Sequence, residues 1–223
     1  MTQLLISVAT IQEAQLALEN GADIIDLKDP SAGALGALPL QQIQAIVSHV
    51  GAKRPLSATI GDLPMQPNLL LERVNLLSKT QIDFIKIGFF QTDDYQSTLD
   101  ALLPATRSGL KLIAVLFAEY QYPKTLIAAI KHAGFSGLMI DTAQKNGATY
   151  MDYYSKEQYK KFSELVSKQG LSFGVAGSLQ LKHVAVTKKV KPTYMGFRGG
   201  VCVENQRGLS LDVDKIRAIR KAL

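Results

Sequence analysis

Two lysines, each at or near the end of a short apolar run, have the type and position needed for covalent chemistry. Lys28 closes the stretch IIDLK within GADIIDLKDP, residues 21–30, and Lys86 lies in FIKIG, residues 84–88. Strand residues alternate faces, so Lys28 shares one face with Asp26. A lysine that is neutral near pH 7 attacks carbonyls and forms a Schiff base. By itself, however, the stretch around Lys28 favours a solvated strand end with an ordinary ion pair.

Two carboxylates and a third lysine occupy equivalent places in the sequence. Asp26 lies on the second predicted strand, Asp141 ends the sixth, and Lys145 follows soon after it. If all strands run in one direction, these charges meet Lys28 and Lys86 at one end. Neighbouring lysines depress each other's pKa, and partial burial adds to this effect. An ammonium group can then donate protons that a carboxylate shuttles. The combination favours catalysis over a structural ion pair.

Glycine-containing turns follow the last two predicted strands and suggest phosphate binding. Gly177-Ser178 comes after the seventh strand, and Gly199-Gly200 comes after the eighth. Glycine lets backbone N–H groups approach phosphate oxygens closely, and barrels commonly bind phosphate at these two strand ends. Arg198 could pair with the same phosphate or face outward. Each turn alone is also explained as an ordinary tight turn.

The elements that must position these residues alternate strictly between strand and helix. Short apolar runs bounded by Gly, Pro, Asp or Asn are separated by segments with helical spacing of apolar residues. Such alternation predicts right-handed βαβ units and a parallel sheet. Eight units in 223 residues predict a single α/β domain, residues 1–223, folded as a (β/α)8 TIM barrel. The predicted strands are residues 4–8, 23–28, 56–60, 84–88, 111–117, 138–141, 172–175 and 194–197.

A doubly wound open sheet is the structural alternative. That fold usually has a glycine-rich phosphate loop after its first strand. The corresponding turn here is Ala9-Thr10, which contains no glycine. The barrel is therefore the favoured fold.

Composition limits the kinds of partner. The formal net charge is +6, but no dense Lys/Arg block or aromatic RNA-binding motif is present. We interpret the excess as mild attraction for anionic metabolites rather than nucleic acid. The start of the chain predicts a strand instead of a signal peptide, and no apolar run reaches the length of a membrane span. With one cysteine, Cys202, an internal disulfide is excluded, so we expect a cytoplasmic protein without membrane contact. The oligomeric state is left open, and a homo-oligomer is compatible with the sequence.

The remaining chemical side chains are weaker candidates. The three histidines fall within or at the ends of predicted helices and show no metal-ligand spacing, so no metal site is predicted. The tyrosines of residues 150–154 could cover the site, although packing is the simpler interpretation. Glu119 and Tyr120 follow the fifth strand and could line a pocket.

Six stretches together resemble one enzyme family. They read GADIIDLKDPSAGALGAL, SATIGDLP, DFIKIGF, MIDTAQKNG, VAGSL and GFRGG. They are similar to the (5-formylfuran-3-yl)methyl phosphate synthases, also called 4-(hydroxymethyl)-2-furancarboxaldehyde-phosphate synthases, of methanofuran biosynthesis. The resemblance covers nearly the whole chain. The first stretch is the most specific, whereas VAGSL and GFRGG are common to many phosphate-binding barrels.

This resemblance implies a function and a set of roles. The family condenses two glyceraldehyde 3-phosphate molecules into a phosphorylated furan aldehyde, releasing phosphate and water, with no cofactor or metal. The match implies that Lys28 is the Schiff-base lysine and Lys86 the acid/base lysine. Asp141 and Lys145 match the aspartate and second lysine after strand six. Asn146 stands where the family often has an acidic residue, and no phosphate contacts are implied for residues 202–209.

Two other functions remain open from the residues alone. One is a different class I aldolase, or a triose or pentose phosphate isomerase, on the same barrel. The other is a barrel that binds a phosphorylated metabolite without catalysis. Binding a phosphate does not require two inward-facing lysines, so the non-catalytic interpretation explains less of the sequence.

Overall fold

The structure, a computed structural model, describes all residues from Met1 to Leu223. Eight strands alternate with eight α-helices, with a few short 3-10 turns between them. The strands are β1 (Gln3–Val8), β2 (Ile24–Leu27), β3 (Leu56–Thr59), β4 (Phe84–Phe89), β5 (Leu112–Phe117), β6 (Gly137–Asp141), β7 (Ser172–Val175) and β8 (Tyr194–Phe197). The helices are α1 (Ile11–Glu19), α2 (Leu40–Val50), α3 (Pro67–Leu77), α4 (Gln96–Arg107), α5 (Leu126–His132), α6 (Lys156–Lys168), α7 (Leu181–Thr187) and α8 (Val213–Ala222).

The strands close into one parallel barrel in the order β1 to β8, with β8 pairing back onto β1. The predicted (β/α)8 barrel is therefore confirmed, and the open sheet is excluded. Predicted strand ends agree with the structure to within about two residues. Helix α4 begins at Gln96, and the side chain of Asp94 accepts the Ser97 N–H just before its first turn.

The core consists of two layers on either side of the barrel wall. Ile85 and Ile87 face outward into a large cluster that joins strands to helices. A smaller cluster fills the inside of the barrel and includes Leu5, Ile113 and Met139. Strands buried on both faces read as continuous apolar runs, which explains sequences such as LIAVLF in β5. The polar side chains buried above the inner cluster are thus exceptions that need an explanation.

Strand register brings several of these polar residues to one level. Ser7 on β1 pairs in register with Asp26 on β2, which in turn pairs with Ser57 on β3. On the next pair of strands, Thr59 aligns with Lys86. Parallel register therefore places Asp26 and Lys86 on the inner wall near the carboxyl end of the barrel, which we call the mouth.

The loop between β2 and α2, residues 28–39, folds back over the mouth. The Asp62 carboxylate accepts the N–H groups of Ala34 and Leu35 at 2.6 and 2.7 Å. Leu35 is fully buried in the inner cluster. Gly33 has a φ of +96°, and a Cβ there would overlap the Asp62 carboxylate. The small residues of this loop thus allow it to pack closely against the end of β3.

No helix of this barrel is both long enough and apolar enough to cross a bilayer.

Candidate active site

One cavity at the mouth collects every residue that the sequence singled out for the site. Its volume is about 410 Å³. The lysine and aspartate candidates and both glycine turns line it. The predicted residues in its wall are Asp26, Lys28, Lys86, Asp141, Lys145, Gly177, Ser178, Arg198, Gly199 and Gly200. The shared direction of parallel strands explains the convergence, since all eight carboxyl ends open at one face.

Asp26 and Lys86 form a buried ion pair on the barrel wall. Lys86 Nζ lies 2.6 Å from Asp26 Oδ1, and both side chains are at most 3% exposed. Ser57 and Ser7 donate hydroxyl hydrogen bonds to the two oxygens of Asp26 at 2.6 and 2.8 Å. Burial by itself would raise the pKa of Asp26, but the charges of Lys86 and Lys28 hold it below the usual range. Asp26 is therefore a fixed, ionised partner for Lys86.

Lys28 differs from the other lysines of the site because no side chain neutralises it. It follows β2 directly, and its backbone N–H donates to Val8 O at 3.0 Å, which extends the strand ladder. The residue is 7% exposed, and its Nζ makes no ion pair within 4.0 Å. Burial lowers the pKa of the Lys28 ammonium to about 8, and the attraction of Asp141 offsets this only in part. A substantial fraction of Lys28 is thus a neutral amine near physiological pH.

Asp141 and Lys145 form a second pair, within the segment that leaves β6. Lys145 Nζ lies 2.7 Å from Asp141 Oδ1 and also donates to Thr142 O at 2.6 Å. Burial would raise the pKa of Asp141, but Lys145 and Lys28 lower it to about 2. Asp141 therefore stays ionised at neutral pH and places a negative charge near Lys28.

Glu119 anchors the loop that carries Lys145. Its carboxylate oxygens accept the N–H groups of Ala143 and Gln144, each at 2.9 Å. Glu119 follows β5, so this contact joins the fifth and sixth strand ends. The sequence identified Glu119 only as a possible pocket residue; the structure gives it a positioning contact instead.

The turn after β7 presents free backbone donors to the cavity. Gly177 and Ser178 have φ values of +90° and +51°. A Cβ on Gly177 would lie 2.8 Å from Thr142 N, so only glycine fits without a shift. The N–H groups of Gly177, Ser178 and Leu179 donate no hydrogen bond within the protein. Such unpartnered amides in a cavity wall suit an anion.

The turn after β8 packs directly against the turn after β7. A Cβ on Gly200 would overlap the carbonyl oxygen of Leu179. Gly200 is buried, and Gly199 lies beside it in a short 3-10 turn. The two glycine turns are therefore neighbours in space, as the phosphate hypothesis requires.

The guanidinium of Arg198 is occupied by the protein itself. Its two terminal nitrogens donate to the two carboxylate oxygens of Glu13 at 2.6 and 2.9 Å. Its Nε donates to Arg207 O at 2.8 Å, and Nη1 also donates to Ser7 O at 3.2 Å. With all three of its nitrogens bound to protein oxygens, the Arg198 guanidinium has few N–H groups free to bind a phosphate. Arg198 lines the cavity, but these contacts also hold the loop after β8, and its pairing with a phosphate stays a prediction.

Arg207 is the charged cavity residue that sequence reasoning missed. Its Nη2 donates to Gly33 O at 2.8 Å, and the residue lines the same cavity. The β8–α8 loop showed no periodicity or motif, which is why residues 202–209 carried no expectation. A basic residue shortly after a glycine turn is the only signal that could have indicated it.

The weaker candidates have structural positions. Tyr150 is buried and hydrogen-bonds Thr187, and its ring packs on Tyr159 at 4.1 Å between centroids. Cys202 is fully buried, which raises the pKa of its thiol. No group of three or more His, Cys, Asp or Glu side chains is arranged to hold a metal ion.

Fold and site together define a (β/α)8 barrel with a lysine-rich cavity at its mouth, lined in part by free backbone N–H groups. Solved structures with this architecture include a phosphoribosyl anthranilate isomerase from Thermus thermophilus, with TM-score 0.71 and 15% identity, covering 99% of this chain and 98% of that one. A 3-hexulose-6-phosphate synthase from Salmonella typhimurium has TM-score 0.72 and 15% identity, covering 100% and 98%. At such identities the likeness concerns the fold alone.

The chain belongs to the 4-HFC-P synthase family, whose model matches residues 4–220. A relative from Methanosarcina mazei, named (5-formylfuran-3-yl)methyl phosphate synthase, is 30% identical over 211 residues, covering 90% of each chain. One of the same name from Methanococcus maripaludis strain C7 is 33% identical over 215 residues, covering 92% of this chain and 91% of its own. A Methylorubrum extorquens protein that bears this name provisionally is 38% identical over 221 residues, covering 99% and 91%. The resemblance noted in the sequence is thereby confirmed.

Proposed function

We propose that this protein is a (5-formylfuran-3-yl)methyl phosphate synthase that condenses two glyceraldehyde 3-phosphate molecules through a Schiff base on Lys28. One phosphate and two water molecules leave, so the reaction is that of a carbon–oxygen lyase acting on phosphates. The observation that carries the proposal is the unpaired Lys28 amine between two lysine–aspartate pairs. The names of the relatives supply the product, and the family resemblance supplies the triose phosphate substrate.

The first stage is imine formation on Lys28. The neutral amine attacks the aldehyde carbon of one triose phosphate, and water leaves to give an iminium. The iminium acidifies the adjacent carbon, and loss of its proton gives an enamine. The electron pair of the enamine can then expel the phosphate from the next carbon. At this point one water and one inorganic phosphate have left, and a three-carbon unit remains attached to Lys28.

The two ion pairs take different parts in this scheme. Lys86, held by Asp26 at 2.6 Å, is positioned to donate a proton to departing oxygens and to recover it later. Asp141, whose pKa is about 2, is a poor base, so we assign its negative charge to stabilising the iminium on Lys28. Lys145 orients Asp141 and supplies a second ammonium at the edge of the cavity.

The second stage joins the second triose phosphate and closes the ring. The second triose phosphate first shifts its carbonyl from C1 to C2, which changes no atoms, and the terminal carbon of the unit on Lys28 forms a carbon–carbon bond to that ketone carbon. The C1 hydroxyl of the second triose then closes the ring on C2 of the first unit, and two water molecules leave to give the aromatic furan. Hydrolysis of the imine consumes one water and frees Lys28, so two water molecules and one phosphate leave in total. The free N–H groups of Gly177, Ser178 and Leu179 would bind the phosphate that the product retains. The close packing of Gly200 supports this turn from behind.

The decisive experiment is incubation of the purified protein with glyceraldehyde 3-phosphate alone. We expect a furan absorbance, stoichiometric phosphate release, and a product of the mass of the phosphorylated furan aldehyde. A class I aldolase or a sugar phosphate isomerase would instead convert the triose without releasing phosphate. Stabilisation by triose phosphate with neither turnover nor borohydride trapping would indicate a binding protein and would refute the proposal.

A further inference from the structure

Charge pairing in the cavity leaves two cations without a carboxylate in contact. Asp26 is paired with Lys86, and Asp141 is paired with Lys145, at 2.6 and 2.7 Å. Arg198 is neutralised by Glu13 from outside the cavity. Lys28 and Arg207 remain. Lys28 has a covalent role in the proposed reaction, whereas Arg207 has none so far.

Arg207 starts beside Gly199, in the turn after β8, and its side chain reaches the β2–α2 loop. Its Nη2 donates to Gly33 O at 2.8 Å, which places its guanidinium beside the β2–α2 loop. Nε and Nη1 donate to no protein atom. Asp29, Asp62 and Asp141 attract it from a distance, but none lies within ion-pair reach. The side chain thus crosses the mouth with two donor groups unused.

The backbone of Arg207 is held rigidly although its side chain is only half-buried. Arg198 Nε donates to Arg207 O at 2.8 Å, and Arg198 Nη2 donates to Leu209 O at 3.4 Å. The Arg198–Glu13 pair is itself largely buried, with side chains 8% and 13% exposed. The Arg198 of this buried pair uses further N–H groups to bind carbonyls of the β8–α8 loop. We infer that the pair fixes the position of this loop.

We propose that Arg207 binds the phosphate of the first triose phosphate, the one that leaves, forming an anion subsite distinct from the glycine turn after β7. The inference rests on the proposed function, in which two phosphate groups enter one cavity and only one leaves with the product. The glycine turn after β7 offers room for one phosphate with backbone donors. A guanidinium with a free edge is suited to a second, since Arg binds phosphate through parallel N–H groups. No bond forms or breaks at Arg207, so its role is binding and orientation.

The test compares Arg207→Gln with Arg207→Lys and with Arg73→Gln, a matched change at an exposed arginine on α3. Calorimetric titration with inorganic phosphate should reveal two sites in the unaltered protein and in Arg73→Gln, but one in Arg207→Gln. With glyceraldehyde 3-phosphate, Arg207→Gln should lose roughly 10- to 100-fold in kcat/KM, mainly through KM. Arg207→Lys should recover part of this loss, because lysine keeps the positive charge but lacks the parallel N–H groups of the guanidinium.

A third measurement separates this subsite from the proposed reaction. Arg207 is expected to act on binding and not on imine formation, so Arg207→Gln should be trapped by borohydride on Lys28 as fully as the unaltered protein when triose phosphate is saturating. The phosphate titration needs no turnover, so it remains informative even if no furan forms. One phosphate site in the unaltered protein, or an unchanged titration in Arg207→Gln, would overturn the subsite and leave the Schiff-base proposal standing.

Discussion

The two lysine–aspartate pairs of the cavity have the same chemistry but different supports. Asp26 on β2 and Lys86 on β4 face each other across β3 and are almost completely buried. The hydroxyl groups of Ser7 and Ser57 fix the carboxylate of Asp26. Asp141 ends β6, Lys145 lies four residues later in the loop that follows, and the Lys145 side chain is 18% exposed. The first pair is part of the barrel wall, whereas the second depends on the conformation of a loop.

This difference indicates that the two lysine–aspartate pairs have different roles around Lys28. A pair built into the wall keeps a proton donor at a constant place, but removing one partner leaves a buried charge. A loop pair costs less to break and can adjust when substrate enters. Lys28 has no ion-pair partner of its own, which is the condition that its proposed role as the nucleophile requires. Substitutions at each position should therefore separate catalysis from stability.

The largest effect should come from Lys28→Arg. Arginine keeps the positive charge but cannot form an imine, so activity should fall by on the order of 10⁴-fold or more. Borohydride with triose phosphate should give no adduct, as measured by mass spectrometry, while the circular dichroism spectrum stays unchanged. Lys53→Arg, an exposed substitution before β3, is the control and should retain full activity. An adduct on the Lys28→Arg protein would refute the assignment.

Lys86→Met should reduce both activity and stability. Loss of the proton donor should slow turnover by about 10²- to 10⁴-fold. The free energy of unfolding should fall by about 3 kcal/mol, since Asp26 becomes a buried charge without its contact partner. Urea unfolding measures this loss. The double variant Asp26→Asn with Lys86→Met should regain most of the stability but none of the activity; equal stability of the single and double variants would contradict the pairing argument.

Lys145→Met should lower activity by roughly 10²-fold. The free energy of unfolding should fall by only about 1 kcal/mol, because Asp141 keeps its hydrogen bond from the Thr142 N–H and the attraction of Lys28.

The stability of the protein should also depend on pH through Asp141. In the unaltered protein the pKa of Asp141 is lowered from 3.8 to about 2, so its contribution to stability is present above pH 4 and is lost as pH falls towards 2. That acid transition should become weaker in the variant.

The same variant should change the pH dependence of trapping. In the unaltered protein the pKa of Lys28 is about 8, so the borohydride trapping rate should rise with pH and level off above that value. Lys145 is one of the charges that lower this pKa, so Lys145→Met should move the midpoint to higher pH. A midpoint that stays in place would show that Lys145 does not act on Lys28.

Glu119→Gln should have the smallest effect. The amide still offers one acceptor to the N–H groups of Ala143 and Gln144, so the loop should loosen without unfolding. We expect a loss of activity of less than about 10-fold, and a change in unfolding free energy within about 1 kcal/mol. Glu204→Gln, which alters an exposed acid in the β8–α8 loop, serves as the comparison. A loss as large as that of Lys145→Met would mean that Glu119 has a direct chemical role.

Much of this site could be predicted because strands carry their own periodicity. Asp26 and Lys28 had to share a face, and Lys86 had to oppose the outward Ile85 and Ile87, whatever the rest of the fold. The glycine turns were visible for a similar local reason, since Gly177 needs a positive φ. Each of these residues is constrained by its immediate neighbours in the chain.

Partners far apart in sequence could not be predicted in this way. Arg198 was expected either to pair with a phosphate or to face outward, and its contact with Glu13, 185 positions away, was not foreseen. Arg207 reaches Gly33 across the mouth, and Asp62 fixes the loop of residues 28–39. None of these pairs follows a period or a motif, because loops have no repeating geometry to place their side chains.

The sequence by itself determined the alternation of elements and the inward lysines, and it suggested the chemistry that we propose, since these depend on local spacing and residue type. Only the tertiary structure decided which lysine stays unpaired. Closure of the barrel brings Asp26 to Lys86 and the β6 loop brings Lys145 to Asp141, so both carboxylates are taken. Lys28 is left buried without a counter-ion in contact, and that desolvation lowers its pKa to about 8.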